Sequence, residues 1–181
     1  MGLRTWLGLK APKPKDYWEK RKNMRYYQEV RALAHQVAPN PRSIIDVGSN
    51  GCPYLDWFDA EDKLSVDLKK PYAAPDVDAV IADFLEWPLP RRFDLCLCLQ
   101  VLEHVPDATP FARKLLRAAD HVVVSVPYKW PAGVSKNHVH DPVDEAKMRI
   151  WFGREPDQST IVTEERPGRC SRRMICYYRT A

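Results

Sequence analysis

Two histidines and one aspartate stand within four positions of one another, at His138, His140 and Asp141. Positions two apart point the same way in an extended segment, so both imidazoles could face one site. An imidazole titrates near neutral pH and can accept a hydroxyl proton, and a neighbouring carboxylate can orient the ring. The same trio could instead bind a divalent metal and polarise substrate oxygens. Packing and capping roles are the third interpretation, and the proton acceptor is the favoured one.

A second group of polar side chains follows the predicted strands. Asp67 ends the second strand, a little over twenty residues after Asp46, where a carboxylate can accept hydrogen bonds from both hydroxyls of a ribose. The third strand ends in Asp83 and Phe84, which offer a carboxylate to an adenine amino group and an aromatic face beside the ring. Each aspartate alone could be an ordinary solvent-exposed residue. Together, at one sheet edge, they predict a pocket for an adenosine-like ligand.

The first strand is followed by a turn that contains Gly48 and Gly51. Glycine lets the backbone turn tightly and approach a ligand, and the helix predicted next offers unpaired N–H groups. The spacing departs from the G-x-G-x-x-G fingerprint of dinucleotide-binding folds, which argues against a nucleotide-dependent oxidoreductase. An ordinary strand-to-helix turn is the alternative interpretation.

Alternating strands and helices must position these residues. A helix is predicted from Asp16 to about Ala38, because apolar residues recur there at three- and four-residue steps. Further helices are predicted near Pro53, over about 107–119 and over about 143–152, the last stopped by Gly153. The predicted strands are 43–47, 63–68, 79–82, 93–99, 121–126, 159–164 and 172–179.

Crossover segments separate the first five strands, so we expect them to be parallel in a doubly wound α/β sheet. The short joint 166–169 predicts an antiparallel hairpin of the last two strands. The chain of 181 residues suits one domain over 16–181, preceded by an extended, proline-containing arm over 1–15.

Composition limits the cellular location and the partners that we expect for the protein. No stretch is long and apolar enough to span a bilayer. The odd number of cysteines, 5, forms no metal-ligand pattern and favours a reducing cytoplasm. Cys96 and Cys98 alternate in an apolar run and should share one buried face. The net charge of +4 is concentrated at both ends, which suits either a solvated surface or attraction to phosphate, carboxylate or RNA.

Four segments together resemble the class I S-adenosylmethionine-dependent methyltransferase superfamily, especially its small bacterial members. They are Ile44-Ile-Asp46-Val-Gly48, Ser65-Val-Asp67, Ala82-Asp83-Phe84 and the run from Phe93 to Asp107, in which Val-Leu-Glu-His-Val-Pro-Asp resembles the family's fourth motif. The resemblance covers roughly residue 20 to the C-terminus. It implies a Rossmann-like sheet of order 3-2-1-4-5-7-6. Asn50 replaces the middle glycine of the family's Gly-x-Gly-x-Gly.

The resemblance also implies a cofactor, S-adenosyl-L-methionine, and the residues that would bind it. Asp46, Gly48 and Gly51 would flank its methionine part. Asp67 would hold the ribose, Asp83 and Phe84 the adenine, and Gln100 would lie beside the sulfonium. The predicted cofactor-binding set also includes Ser49, Asn50, Leu68 and Val101. Glu103 and His104 are weaker catalytic candidates, because the resemblance puts them at a helix start where structural roles are common.

The predicted reaction is methyl transfer to a hydroxyl group of a sugar, glycan or small metabolite, with a histidine as base. The absence of an Asn/Asp-Pro-Pro-aromatic motif after the fourth strand argues against amino-methylating enzymes of nucleic-acid bases. An RNA methyltransferase and a non-catalytic S-adenosylmethionine-binding module are the alternatives. The acceptor would be bound by the N-terminal helix, the loop over 128–141 or a second subunit of a homodimer.

Overall fold

The computed structural model describes residues 17–166 and 169–181. The predicted arm over 1–15 and the predicted helix start at Asp16 lie outside these residues, so the domain division stays a prediction.

The described residues form one sheet of seven strands in the order β3-β2-β1-β4-β5-β7-β6, which confirms the predicted topology. Five strands pair in parallel, and β7 runs antiparallel between β5 and β6. The strands are β1 (Ser43–Val47), β2 (Asp62–Asp67), β3 (Asp78–Ile81), β4 (Phe93–Leu99), β5 (Ala119–Pro127), β6 (Gln158–Arg166) and β7 (Arg169–Arg179).

Three α-helices lie within the described ranges, namely α1 (Arg25–Val37), α2 (Ala108–Ala118) and α3 (Glu145–Phe152). The predicted N-terminal helix is too long, because residues 17–23 form successive turns and α1 begins only after Met24. The helix predicted near Pro53 is a single 3-10 turn, Tyr54–Trp57. Gly153 ends α3 in the left-handed conformation with a φ of 71°, as expected for a C-terminal glycine.

The sheet is covered on both faces, which explains the continuous apolar character of its central strand. In β4, Cys96 and Cys98 face the core that contains α2 and α3, and this confirms their predicted common face. Leu95, Leu97 and Leu99 face the opposite core, which contains α1. Each leucine buried in this way stabilises the fold by roughly 1.5–3 kcal/mol relative to an exposed one.

Two properties concern the predicted location of the protein. Among the described helices, none combines the length and apolarity that a bilayer crossing needs. The described cysteines Cys52, Cys96, Cys98 and Cys176 are buried free thiols. The cytoplasmic location stays a prediction.

Candidate functional site

A cavity of about 930 Å³ opens at the carboxyl edge of the parallel strands. In open α/β sheets this edge is where ligands bind, because the loops that leave the strands converge there. Its walls come from the ends of β1, β2 and β4, from the loop after β5 and from the segment before α1 that includes Tyr17 and Arg21.

Ten of the side chains or backbone positions predicted for the site line this cavity. They are Gly48, Ser49, Asn50, Asp67, Leu68, Asp83, Phe84, Gln100, Val101 and His138. Four predicted residues are not part of its lining, namely Asp46, Gly51, His140 and Asp141.

The turn after β1 has a backbone that only certain residues adopt. Gly48, Asn50 and Gly51 have φ values of 82°, 48° and 71°. A Cβ atom added to Gly48 would lie 2.5 Å from Cγ2 of Val101, so a side chain there would collide with the wall of the site. Asn50 tolerates the left-handed region better than most residues because its short polar side chain can hydrogen-bond locally. The replacement of the middle glycine is therefore compatible with this turn.

Asp67 organises two loops at the end of β2. Its Oδ2 accepts a hydrogen bond from the Asn50 backbone N–H at 2.9 Å. Its Oδ1 accepts from the backbone N–H groups of Lys69 and Lys70, both at 2.8 Å. A carboxylate has about four lone-pair sites, so these three contacts leave about one for a further donor. The same side chain can thus shape the turn and accept from a ligand hydroxyl.

The Ser49 hydroxyl joins two loops by hydrogen bonds. It is 1% exposed, and its Oγ accepts hydrogen bonds from the backbone N–H groups of Gly51 and Tyr72. The Ser65 hydroxyl donates to the same oxygen at 3.1 Å. These contacts join the turn after β1 to the segment after β2.

Asp46 is buried in β1 and fully screened from solvent. Among the described residues, neither carboxylate oxygen has a hydrogen-bond partner. Burial raises the pKa of this carboxyl well above its ordinary value, and the negative charge of Asp67 raises it further. Its predicted place beside the methionine part of a cofactor is not supported by its position, because the Gly48 turn rather than Asp46 forms the cavity wall.

The end of β3 contributes the groups predicted for an adenine ring. Asp83 is exposed, and its Oδ1 accepts from the Leu85 backbone N–H at 2.9 Å. Phe84 is 4% exposed and packs against Phe111 with ring centroids 5.0 Å apart. Leu68 is 62% exposed at the cavity wall and provides apolar surface there.

Gln100 follows β4 in the left-handed region with a φ of 58°. Its backbone N–H donates to the Ser125 carbonyl at 2.9 Å, and its side-chain amide donates to the Ser125 hydroxyl at 3.3 Å. The Tyr26 hydroxyl of α1 forms a short hydrogen bond with the same Ser125 hydroxyl. A non-glycine residue with positive φ stores backbone strain, and such residues cluster at functional sites.

His138 lines the cavity from the loop after β5. Its Nδ1–H donates to Asp141 Oδ2 at 2.7 Å, and the two side chains are only 7% and 2% exposed. In a neutral ring this contact leaves the lone pair on Nε2. The predicted pairing of a histidine with Asp141 is therefore present in the structure, with Asp141 behind the ring rather than in the cavity wall.

His140 has different surroundings from those expected. Its Nε2–H donates to the Val105 carbonyl at 2.7 Å, and its ring meets Trp151 edge-on at 5.1 Å. The two-residue period of an extended segment does not apply here, because the backbone bends at residues 139 and 140. The structure thus turns His140 away from the cavity, and its predicted catalytic role is not supported.

Two further residues reach the site beside His138, namely Glu103 and His104 of a 3-10 turn after β4. Glu103 is 1% exposed, and burial raises its pKa to about 8, with Asp141 adding to the effect and Arg173 opposing it. His104 Nδ1–H donates to the Asn137 carbonyl at 2.8 Å. Both residues are weak candidates in the sequence. Their position directly after a buried strand nevertheless indicates that they lie at the sheet edge where ligands bind.

An aromatic and basic wall completes the end of the cavity near His138. The Trp130 ring stacks on the His138 ring, with centroids 5.7 Å apart and planes 23° apart. The Arg173 guanidinium lies 5.6 Å from the Trp130 ring centroid and 5.1 Å from that of Tyr26. This end of the site therefore combines a flat apolar surface with a positive charge.

Neither a family model nor a curated protein matches the sequence. Solved structures do match. The N-methyltransferase NodS of Bradyrhizobium japonicum WM9, in complex with S-adenosylhomocysteine, has a TM-score of 0.65 at 11% identity, covering 92% of this chain and 93% of that one. The 1,6-didemethyltoxoflavin-N1-methyltransferase of Burkholderia thailandensis has a TM-score of 0.64 at 19% identity, covering 87% and 79%.

A third match is the N-terminal domain of EvdMO1, solved with S-adenosylhomocysteine and D-fucose, with a TM-score of 0.58 at 14% identity over 84% of this chain and 82% of that one. At identities this low, the structural similarity establishes the architecture and not the activity. The chain therefore has the fold of the class I S-adenosylmethionine-dependent methyltransferases, as its sequence motifs predict.

Proposed function

We propose that this chain is an S-adenosylmethionine-dependent methyltransferase that methylates a hydroxyl group of a small polar acceptor, such as a sugar or a glycan unit. One observation carries the proposal. A single cavity joins the Gly48 turn, Asp67 and Asp83 to His138. The first three suit an adenosine-containing cofactor, and His138 suits an acceptor that must lose a proton.

The cofactor would be held by the chain's own backbone and carboxylates. The Gly48 turn has no room for a Cβ atom and would let the backbone approach the methionine part. Asp67 would accept from a ribose hydroxyl and Asp83 from the adenine amino group. The bound cofactor supplies a methyl group on a positively charged sulfur, which is already activated for transfer. The chain's main contribution to such a transfer is alignment of the acceptor.

A hydroxyl acceptor is favoured because the acceptor end of the cavity contains a means of activating one. A hydroxyl oxygen becomes a good nucleophile only as its proton leaves. The buried Asp141 carboxylate holds the Nδ1–H of His138 and so aims the Nε2 lone pair. We infer that this nitrogen atom accepts the proton of the hydroxyl group.

A small acceptor is favoured by the size and lining of the site. The cavity of about 930 Å³ must hold both the cofactor and the acceptor. Trp130 and Arg173 offer a flat face and a cation to a polar ring. The D-fucose in the EvdMO1 structure supports a sugar as the acceptor class to test first.

The test measures S-adenosylhomocysteine release from the purified full chain with a panel of sugars, glycans and small hydroxyl-containing metabolites. S-adenosylmethionine binding is measured separately by calorimetry. We expect release with at least one hydroxyl acceptor, and at least a tenfold loss of turnover in His138→Gln with cofactor affinity kept. His121→Gln is the matched control, because His121 lies at the start of β5 and bonds Tyr177 instead.

Three outcomes would contradict the proposal. Cofactor binding without release on any acceptor would indicate a binding module. Transfer restricted to nitrogen or to RNA would refute the acceptor class. Full turnover of His138→Gln would refute the place of activation.

A further inference from the structure

We propose that Glu103, His104 and His138 form a binding site for one divalent transition-metal ion at the acceptor end of the cavity. The proposal rests on the proposed function and changes the role of His138 from proton acceptor to metal ligand, since the ion would bind and acidify the acceptor hydroxyl. It differs from the metal site considered from the sequence, which used His138, His140 and Asp141. The structure separates that set, because His140 bonds the Val105 carbonyl and Asp141 stands behind His138.

The three side chains bring their ligand atoms together. One ligand atom of each lies within 4.8 Å of those of the other two. Glu103 Oε1 and His104 Nε2 are 3.9 Å apart, too far for a hydrogen bond between them. The two imidazole rings stand nearly perpendicular, with centroids 4.8 Å apart. Small side-chain shifts would bring these atoms to the roughly 2.0–2.2 Å from a common ion that nitrogen and oxygen ligands need.

The second contacts of both imidazoles match those of metal-binding histidines. Such a histidine usually donates its other N–H to a carboxylate or a backbone carbonyl, which fixes its tautomer and orientation. His138 Nδ1–H donates to the buried Asp141 carboxylate, and His104 Nδ1–H donates to the Asn137 carbonyl. Both neutral rings therefore present an Nε2 lone pair.

Glu103 supplies an independent observation. Its side chain is 1% exposed at the cavity wall, and its Oε2 has no hydrogen-bond partner among the described residues. A buried carboxylate oxygen without a partner costs free energy, and a bound cation would satisfy it. Arg173 also lines the cavity, and its guanidinium group is stacked over the Tyr26 ring.

The ligand set selects the kind of ion. Two imidazoles and one carboxylate suit Zn²⁺, Fe²⁺, Co²⁺ or Mn²⁺, whereas Mg²⁺ and Ca²⁺ prefer oxygen ligands. Three protein ligands leave open coordination positions, as in catalytic metal sites. A hydroxyl oxygen bound there would lose its proton more readily, and the proton would pass to solvent water. The ion would also hold the acceptor in place, so it would serve both activation and alignment.

The experiment uses the full chain without a histidine tag, treated with EDTA and then freed of chelator. Co²⁺ is titrated by visible absorption and Zn²⁺ by calorimetry, and S-adenosylhomocysteine release is measured with and without added metal. We expect one equivalent of each metal to bind, and turnover to be lost on metal removal and restored by addition. Glu103→Gln, His104→Gln and His138→Gln should each weaken Co²⁺ binding at least tenfold, and His121→Gln should leave it unchanged.

The possible failures point to different conclusions. No stoichiometric binding of Co²⁺ or Zn²⁺, or wild-type affinity in all three ligand variants with native circular dichroism, overturns the metal site. Release that is insensitive to EDTA but abolished in His138→Gln also overturns it and leaves His138 as the proton acceptor. Stoichiometric metal binding without release on any hydroxyl acceptor supports the metal site and instead counts against the proposed function.

Discussion

Replacing Gly48 with alanine tests whether the turn after β1 depends on a residue that has no side chain. Two costs follow from the structure. The φ of 82° puts alanine in the left-handed region, which costs roughly 1–2 kcal/mol for an L-residue. The new Cβ would lie 2.5 Å and 3.1 Å from the two methyl carbons of Val101, and overpacking of this kind costs roughly 1–3 kcal/mol. We therefore expect Gly48→Ala to lower the free energy of unfolding by roughly 2–5 kcal/mol.

A second substitution separates the two costs. Val101→Ala removes the methyl carbons that Cβ would meet, so the double variant should keep the backbone cost and lose the overpacking cost. The sum of the two single effects should therefore exceed the effect of the double variant by roughly 1–3 kcal/mol.

Urea unfolding of the wild type and the three variants, followed by circular dichroism, measures this coupling. Calorimetry with S-adenosylmethionine should show weaker binding in Gly48→Ala, because the strained turn forms the cavity wall. Additive single effects, or a Gly48→Ala variant as stable as the wild type, would refute the steric argument.

Three further predictions use carboxylates. Asp67→Ala removes the acceptor of three backbone N–H groups, and we expect cofactor affinity measured by calorimetry to fall by roughly 1–3 kcal/mol; unchanged affinity would remove the ribose assignment. Asp46 has a folded-state pKa above its unfolded value of 3.8, so its contribution to stability is present below that pH and is lost as pH rises toward the folded pKa. Asp46→Asn should therefore flatten the fall in stability above about pH 4, whereas parallel urea-unfolding profiles would contradict this. Asp141→Asn should weaken Co²⁺ binding roughly 10–100-fold, and wild-type affinity would exclude its role in orienting His138.

The sheet could be predicted from the sequence because its signals are local. The apolar run of β4 marks a strand buried on both faces, and the short joint before β7 marks a hairpin. The start of α1 was predicted wrongly. The residues before Met24 form turns in which Trp18 accepts backbone hydrogen bonds, and no local apolar period distinguishes such turns from a helix.

The candidate site was predictable where one residue's backbone decides its role, as at Gly48. It was not predictable where a role depends on which way a loop bends. His138 and His140 are equivalent in the sequence, yet one faces the cavity and the other bonds the Val105 carbonyl. Glu103 is a weak candidate in the sequence because the resemblance puts it at a helix start. Its neighbours Asp141 and Arg173 are far from it in the sequence and meet it only in the fold.

The two ends of the cavity depend on different parts of the chain, and this decides how their functions can be separated. The end proposed for the cofactor is made by turns that leave β1, β2 and β3. The acceptor end is made by the turn after β4, the loop after β5 and Arg173 of β7. Neither His138 nor His104 takes part in the Asp67 contacts, so we expect their substitution to leave those contacts in place. We therefore expect substitutions at the acceptor end to change metal affinity and turnover while cofactor affinity is kept, and substitutions at the cofactor end to change cofactor affinity while metal affinity is kept.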